Sequence, residues 1–223
     1  MPMERQWLGV AAVAVWLGLL AAAALAVRRR WNGQREWSRK LVHIGTGAVV
    51  PIAWVFGISQ AIAVPAAGTI TVLAALNHRI RVLPAIEDVD RHSYGTIAYG
   101  ASITALLWLY WPQQPAAVAA GVLVMAVGDG LAGLLGPLVP SFSWSVWQQR
   151  KSVVGTGAMA IASLLVLLSL RAVALAQGTP APAAEALLAI TALAVLLEQG
   201  AVIGLDNFTV PVAVGWLWSA LAR

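Results

Sequence analysis

The 223-residue chain contains no cysteine. Disulfide staples, thiolate catalysis and Cys-ligated metals are therefore excluded. Charge is scarce too. Only 10% of residues are Asp, Glu, Lys or Arg, against roughly 25% in an average soluble domain. A water-soluble globule of this length needs more charge to cover its surface. Soluble enzymes, DNA-binding proteins and disordered chains are ruled out on this ground.

Apolar length stands where charge is missing. Hydrophobic residues make up 60% of the chain and mean hydropathy is +0.80. Runs of about 20 apolar residues, enough for a spanning helix, recur from end to end. A spanning β-barrel would alternate apolar and polar positions over segments of about ten residues. Runs such as Ala158 to Leu170 are instead continuous. The expected fold class is an all-α, polytopic integral membrane bundle, 1–223 forming one membrane domain. The net charge of +5 reflects loops facing anionic lipid, and no nucleic-acid partner is expected. Trp7 to Val27 is 21 apolar residues, longer than the roughly 7–15-residue core of a secretory signal. It reads as a retained first helix, and 1–35 as that helix with a basic loop.

Eight candidate spans lie near 7–27, 41–58, 60–76, 96–111, 116–136, 153–176, 185–205 and 207–222, with seven as the alternative count. Trp31, Trp37, Trp108, Trp111, Trp216 and Trp218 read as interfacial anchors. Eleven of the 14 Lys and Arg fall in the odd-numbered loops: Arg28, Arg29, Arg30, Arg35, Arg39 and Lys40; Arg79, Arg81 and Arg91; Arg150 and Lys151. By the positive-inside rule these loops are cytoplasmic and both termini face outward.

The out-of-place polar residues gather on that same side. His43 is one turn into the second span, Asp129 is in the inner part of the fifth, and Glu198 is in the inner half of the seventh. Asp206 and Asn207 form the seventh loop, while Glu87, Asp88 and Asp90 lie in the third. Converging inner ends would make one cytoplasmic pocket of carboxylates and cations. Carboxylates hold Mg²⁺, and Arg and Lys hold phosphate oxygens, so the mixture suits a metal–polyphosphate substrate.

An acid flanked by apolar residues, as Asp129 is, costs several kcal/mol unless paired or facing water, and is functional by default. Gly128, Gly130, Gly133 and Gly136 around it allow close approach of a helix or a phosphate. The formal GxGxxG match from Gly128 to Gly133 carries no dinucleotide reading, because no strand precedes it. Arg39 and Lys40 open the second span with His43 one turn on, where a bound anion would offset cations at a helix N-terminus. Lys151 and Ser152, with Gly155, enter the sixth span in the same way; Ser152 either caps that helix or binds phosphate. Ser93-Tyr94-Gly95-Thr96 leads into the fourth span as a cap and a possible phosphate contact. Asp206 is a second candidate Mg²⁺ ligand or the cap of the last helix.

In this order the pieces resemble the polyprenol kinase family of dolichol kinases, phytol kinases and bacterial relatives. The matching positions are Arg39-Lys40 with His43, Ser93-Tyr94-Gly95-Thr96, and Gly128-Asp129 with Ala132 and Gly136. Lys151-Ser152 with Gly155 and Asp206-Asn207 with Val210 complete the set. The resemblance runs from about Glu36 to Val214, within a kinase-like region 36–223. It implies phosphoryl transfer to a long isoprenoid alcohol, with CTP as the usual donor. Val154, where dolichol-type members have Glu, leans toward the phytol type. Pro137 stands where some members have Arg.

The residues expected at the chemistry are Asp129, Asp206, Lys151 and His43. Arg39, Lys40, Ser93, Gly95, Thr96, Gly128, Lys151, Ser152, Gly155 and Asn207 are expected at nucleotide and phosphate, and Asp129, Asp206 and Glu198 at Mg²⁺. The proton acceptor is open among Asp206, Glu198 and His43. The host is a bacterial inner membrane or a thylakoid-type membrane. The alternatives are a lipid cytidylyltransferase, which would release pyrophosphate instead of CDP, and a transporter, which should show inverted repeats. Accessibility labelling should find positions 129 and 151 open to the same side of the bilayer; opposite sides would overturn the reading.

Overall fold

The computed structural model describes residues 3–31, 35–80, 94–147 and 149–223. In chain order the described helices are α1 Met3–Arg30, α2 Arg35–Thr46, α3 Val49–Phe56, α4 Gln60–Ile80 and α5 Gly95–Tyr110. They continue with α6 Pro115–Leu123, α7 Gly130–Leu138, α8 Val153–Ala176, α9 Ala184–Gly200 and α10 Asp206–Leu221. A π-helical segment, Val124–Asp129, joins α6 to α7. The architecture is an all-α bundle, and α2–α3 and α6–α7 each act as one rod. Met3–Arg30, Gln60–Ile80, Pro115–Leu138 and Val153–Ala176 are long and apolar enough to cross a membrane; α5 is apolar but shorter.

The rod from Pro115 to Leu138 is the axis. Pro115 starts it at a position where the missing N–H costs nothing. Ala117, Val118, Ala120, Val122, Met125 and Ala126 are completely buried, because α5, α8 and α10 pack around them. Lipid tails are as apolar as leucine, so such helices are held by close packing. At Gly121 a Cβ would lie 2.3 Å from the Pro211 carbonyl oxygen of α10. Only a residue without a side chain permits that approach.

Three features depart from the expected elements. The second rod begins at Arg35 and breaks at Gly47–Ala48, where Gly47 N–H donates to Ile44 O at 3.1 Å. A Cβ on Gly47 would come within 2.5 Å of Ala126 in the π segment, so the break lies at a close contact of the two rods. Second, a hairpin of β1 Ser143–Val146 and β2 Gln149–Ser152 precedes α8, pairing Trp144 with Lys151. Third, α9 stops at Gly200, short of the expected 205. The turn before α10 holds Ile203 at φ 57° and Gly204 at φ 82°. A β-branched residue there costs about 1–3 kcal/mol. The Ile203 carbonyl accepts from Tyr94 N–H at 3.1 Å, which ties this turn to the start of α5.

Two tryptophans are not interfacial. Trp111 and Trp218 are buried, and the Trp111 indole donates to Ile58 O at 2.7 Å. Their rings fill gaps between rods, whereas Trp31, Trp37, Trp108 and Trp216 are exposed as expected.

Gly121→Ala should destabilise the protein by roughly 1–3 kcal/mol through overpacking. Gly157→Ala, where a Cβ meets nothing within 4 Å, should not. Thermal midpoints in detergent measure both, and an unchanged Gly121→Ala midpoint would contradict the α6–α10 packing.

Candidate active site

Separate rods deliver ionic side chains to one end of the bundle. Lys40 and His43 come from α2, Asp129 from the end of the π segment, Lys151 from β2, Glu198 from the last turn of α9 and Asp206 from the first of α10. Oxygens of Asp129, Glu198 and Asp206 lie within 4.8 Å of one another. Convergence of residues up to 166 positions apart is a product of the fold.

Each part is held by local chemistry. The π segment adds a residue to its turn, and one residue of an α-helix corresponds to about 100° of rotation. It thereby resets the direction in which Asp129 projects. Asp129 Oδ2 accepts from Lys40 Nζ at 2.7 Å and lies 3.3 Å from His43 Nε2. Lys40 also donates to the Asp129 carbonyl at 3.1 Å. Its stem crosses α7 at Gly133, where a Cβ would meet Lys40 Cε at 2.3 Å. His43 Nε2 is also 3.2 Å from Met125 O. Both neighbours are acceptors, so Nε2 carries the proton and donates. The ring lies tilted against that of Tyr99, with centroids 4.6 Å apart.

On the other side Lys151 pairs with Glu198 Oε1 and donates to Glu198 O at 2.9 Å. That carbonyl belongs to the last turn of α9, where intrahelical donors run out and a cation is favoured. Gln199 Nε2 bonds Glu198 Oε2 and Thr156 Oγ1, both at 2.9 Å, so it joins α9 to α8. Among the described residues Asp206 makes no direct ion pair with a lysine; its Oδ1 accepts from Asn207 N and Nδ2, each at 3.1 Å. Among the described residues, three carboxylates stand against two ammonium groups. The set is all-oxygen and hard, and Gln199 Oε1 adds a buried acceptor without a hydrogen-bond partner among the described residues. These features fit a hard divalent cation.

Lys40, His43, Asp129, Lys151, Glu198, Asp206 and Asn207 are thus brought together. Ser152 caps α8 by accepting from Gly155 N at 3.1 Å, and both lie against Gly136 of α7. Gly128 is buried against Met159 and Ser163 of α8. Arg39 pairs with Glu36 at 2.8 Å on the exposed side of α2. Gly95 and Thr96 begin α5 beside the turn that precedes Asp206. Asp206 heads α10 without capping it; Leu205 occupies the cap position. Ser93, and with it Arg81, Glu87, Asp88, Asp90 and Arg91, lies outside the described residues. Tyr99 and Gln199 are site neighbours that the sequence reading missed. Gln199 was signalled by its place beside Glu198 in an apolar run. Tyr99 is one helical turn beyond Gly95, which was a weaker signal.

Fold and site together define a membrane-embedded enzyme with a buried, carboxylate-rich centre. A phytol kinase from Synechocystis sp. is 35% identical over 219 residues, which cover 96% of this chain and 93% of the relative. The chain belongs to the polyprenol kinase family, with phytol kinase-like members, and is a kinase acting on an alcohol. No family model and no solved structure matches it.

Lys151→Met should strand Glu198 as an uncompensated buried charge and cost about 3–5 kcal/mol. The double variant Lys151→Met/Glu198→Gln should recover most of that loss. Chemical unfolding in micelles distinguishes them; a double variant as unstable as the single one would contradict the pairing.

Proposed function

We propose that the protein transfers the terminal phosphoryl group of CTP to the hydroxyl of a long-chain isoprenoid alcohol such as phytol, geranylgeraniol or a polyprenol. The reaction takes place where the inner ends of eight spanning rods meet the cytoplasmic face. The observation that carries this reading is the Asp129–Glu198–Asp206 carboxylate group flanked by Lys40 and Lys151. Support for the acceptor comes from the phytol kinase relative. Support for the cytoplasmic side comes from the basic loops.

Asp129, Asp206 and Glu198 would hold Mg²⁺. Bound there, such an ion would supply positive charge against the charge that builds up in phosphoryl transfer. Lys40 and Lys151 are the cations that meet the donor phosphates, exchanging a carboxylate oxygen for a phosphate oxygen as the nucleotide arrives. Arg39, one residue from Lys40, Gly95 and Thr96 at the head of α5, and Gly128, Ser152, Gly155 and Asn207 complete the phosphate and nucleotide contacts, with Ser93 joining them from outside the described residues. His43 orients Asp129 through its Nε2 proton. With Nε2 donating, the hydroxyl proton would pass to Asp206, to Glu198 or to the unprotonated Nδ1 of His43. The alcohol's chain stays in the apolar phase while its hydroxyl reaches the carboxylates at headgroup depth. Membrane lipids are thus both solvent and neighbour of the substrate.

Purified protein in lipid should form labelled phytyl or geranylgeranyl monophosphate from γ-labelled CTP, with CDP as coproduct. Pyrophosphate release would point to a cytidylyltransferase, and no lipid phosphate from any alcohol with CTP or ATP would end the kinase reading. Asp206→Asn removes a carboxylate without breaking a lysine pair. It should lower turnover by about 10²-fold or more, the scale of losing a charged transition-state contact, and weaken Mn²⁺ binding seen by electron paramagnetic resonance. The thermal midpoint should stay near wild type. Unaltered turnover and Mn²⁺ binding would exclude the metal role.

A further inference from the structure

α2 presents two different faces. Lys40 and His43 lie on the ionic one. Trp37, Leu41, Ile44, Gly45 and Ala48 recur at helical spacing on another, and α3 begins directly beyond Ala48. That second face forms one wall of a cavity of about 540 Å³. Trp16, Leu20 and Val27 of α1 form the opposite wall, and Leu134 of α7 completes the lining of this open groove. Sites of roughly 300–1,000 Å³ enclose small-molecule ligands, and every side chain in this lining is apolar or an indole. The Trp16 indole is already bound to Gly45 O at 2.8 Å, so it presents carbon to the cavity.

Two lining residues adjoin the backbone around the ionic centre. Ile44 packs on Gly130, the residue after Asp129, so tightly that a Cβ there would lie 2.2 Å from Ile44 Cγ1. Leu134 is five residues beyond Asp129, roughly 7–8 Å of helix rise. A hydroxyl at the Ile44 end would lie beside the turn of α2 that carries Lys40 and His43, with its chain along α1. Trp31 and Trp37, with ring centroids 5.9 Å apart, cluster by the inner end of α1.

Building on the kinase reading, we infer that this cavity between α1, α2 and α7 binds the isoprenoid chain of the acceptor alcohol and sets the chain length accepted. α1 is then part of the substrate site. Lipid and cavity are equally apolar, so selectivity comes from shape: branched methyl groups pack against Leu20, Ile44 and Leu134, or fail to fit.

Val27→Trp and Leu134→Trp fill the cavity without touching the ionic centre. In nanodiscs each should lower kcat/KM for a twenty-carbon alcohol relative to ten-carbon geraniol by about tenfold, the scale of a hydrophobic-pocket mismatch. The change should appear in KM for the alcohol and leave KM for the nucleotide unaltered. Leu134→Ala, which removes atoms and retains the fold, should move preference toward longer chains. Equal loss on both alcohols, or no change in any variant, would overturn the assignment. Labelling with a diazirine-bearing geranylgeraniol needs no turnover. It should mark peptides containing Leu41 or Leu134 and be competed by phytol. Labelling elsewhere, or competition by bilayer phospholipid alone, would overturn it too. A wild-type protein that phosphorylates no alcohol would refute the kinase reading, and the labelling would still decide the cavity.

Discussion

A charge taken into an apolar interior must find an opposite charge or a hydrogen-bond partner, and this molecule takes in several at one end. Asp129, Glu198 and Asp206 come from three rods, and burial of each would be prohibitive alone. Lys40 answers Asp129, Lys151 answers Glu198, and Asn207 answers Asp206. The same pairs serve as structural clamps. Lys40 ties α2 to the π segment, Lys151 ties the hairpin to α9, and Gln199 ties α9 to α8. Removing the ionic centre would therefore loosen the bundle as well as the chemistry. A buried ion pair is seldom a net source of stability, so its retention here agrees with a functional use.

Close packing lets the rods carry these groups. The axial helix is rich in Ala and Gly where α10 and α2 approach it, at Gly121 and opposite Gly47. Backbones come near enough for a lysine to cross from one rod to a carboxylate on the next. The two local irregularities, the π turn ending at Asp129 and the break at Gly47–Ala48, lie against each other. A regular helix in place of the π turn would aim Asp129 in another direction. Such turns are common at functional sites for this reason.

α2 joins two phases. Its ionic face belongs to the site and its apolar face to the cavity under α1. A kinase whose acceptor is dissolved in lipid and whose donor is dissolved in water needs a boundary element of this sort. A helix with both faces supplies it within twelve residues.

Much of the fold and site was legible in the residues themselves. Long apolar runs reveal spanning rods because water and lipid sort whole segments by composition, and an acid such as Asp129 or Glu198 in such a run stands out by its desolvation cost. The basic loops and the motif at Lys151-Ser152 likewise depend on neighbouring residues alone. The sequence by itself therefore determined the all-α membrane class, the rods and most members of the ionic group. Tertiary structure decided which lysine meets which acid, the turn that aims Asp129, the burial of Trp111 and Trp218, and the cavity behind α2. Those features depend on distances between rods far apart in the chain. Helical periodicity repeats within a segment and holds no information about its neighbours, so only packing could fix them.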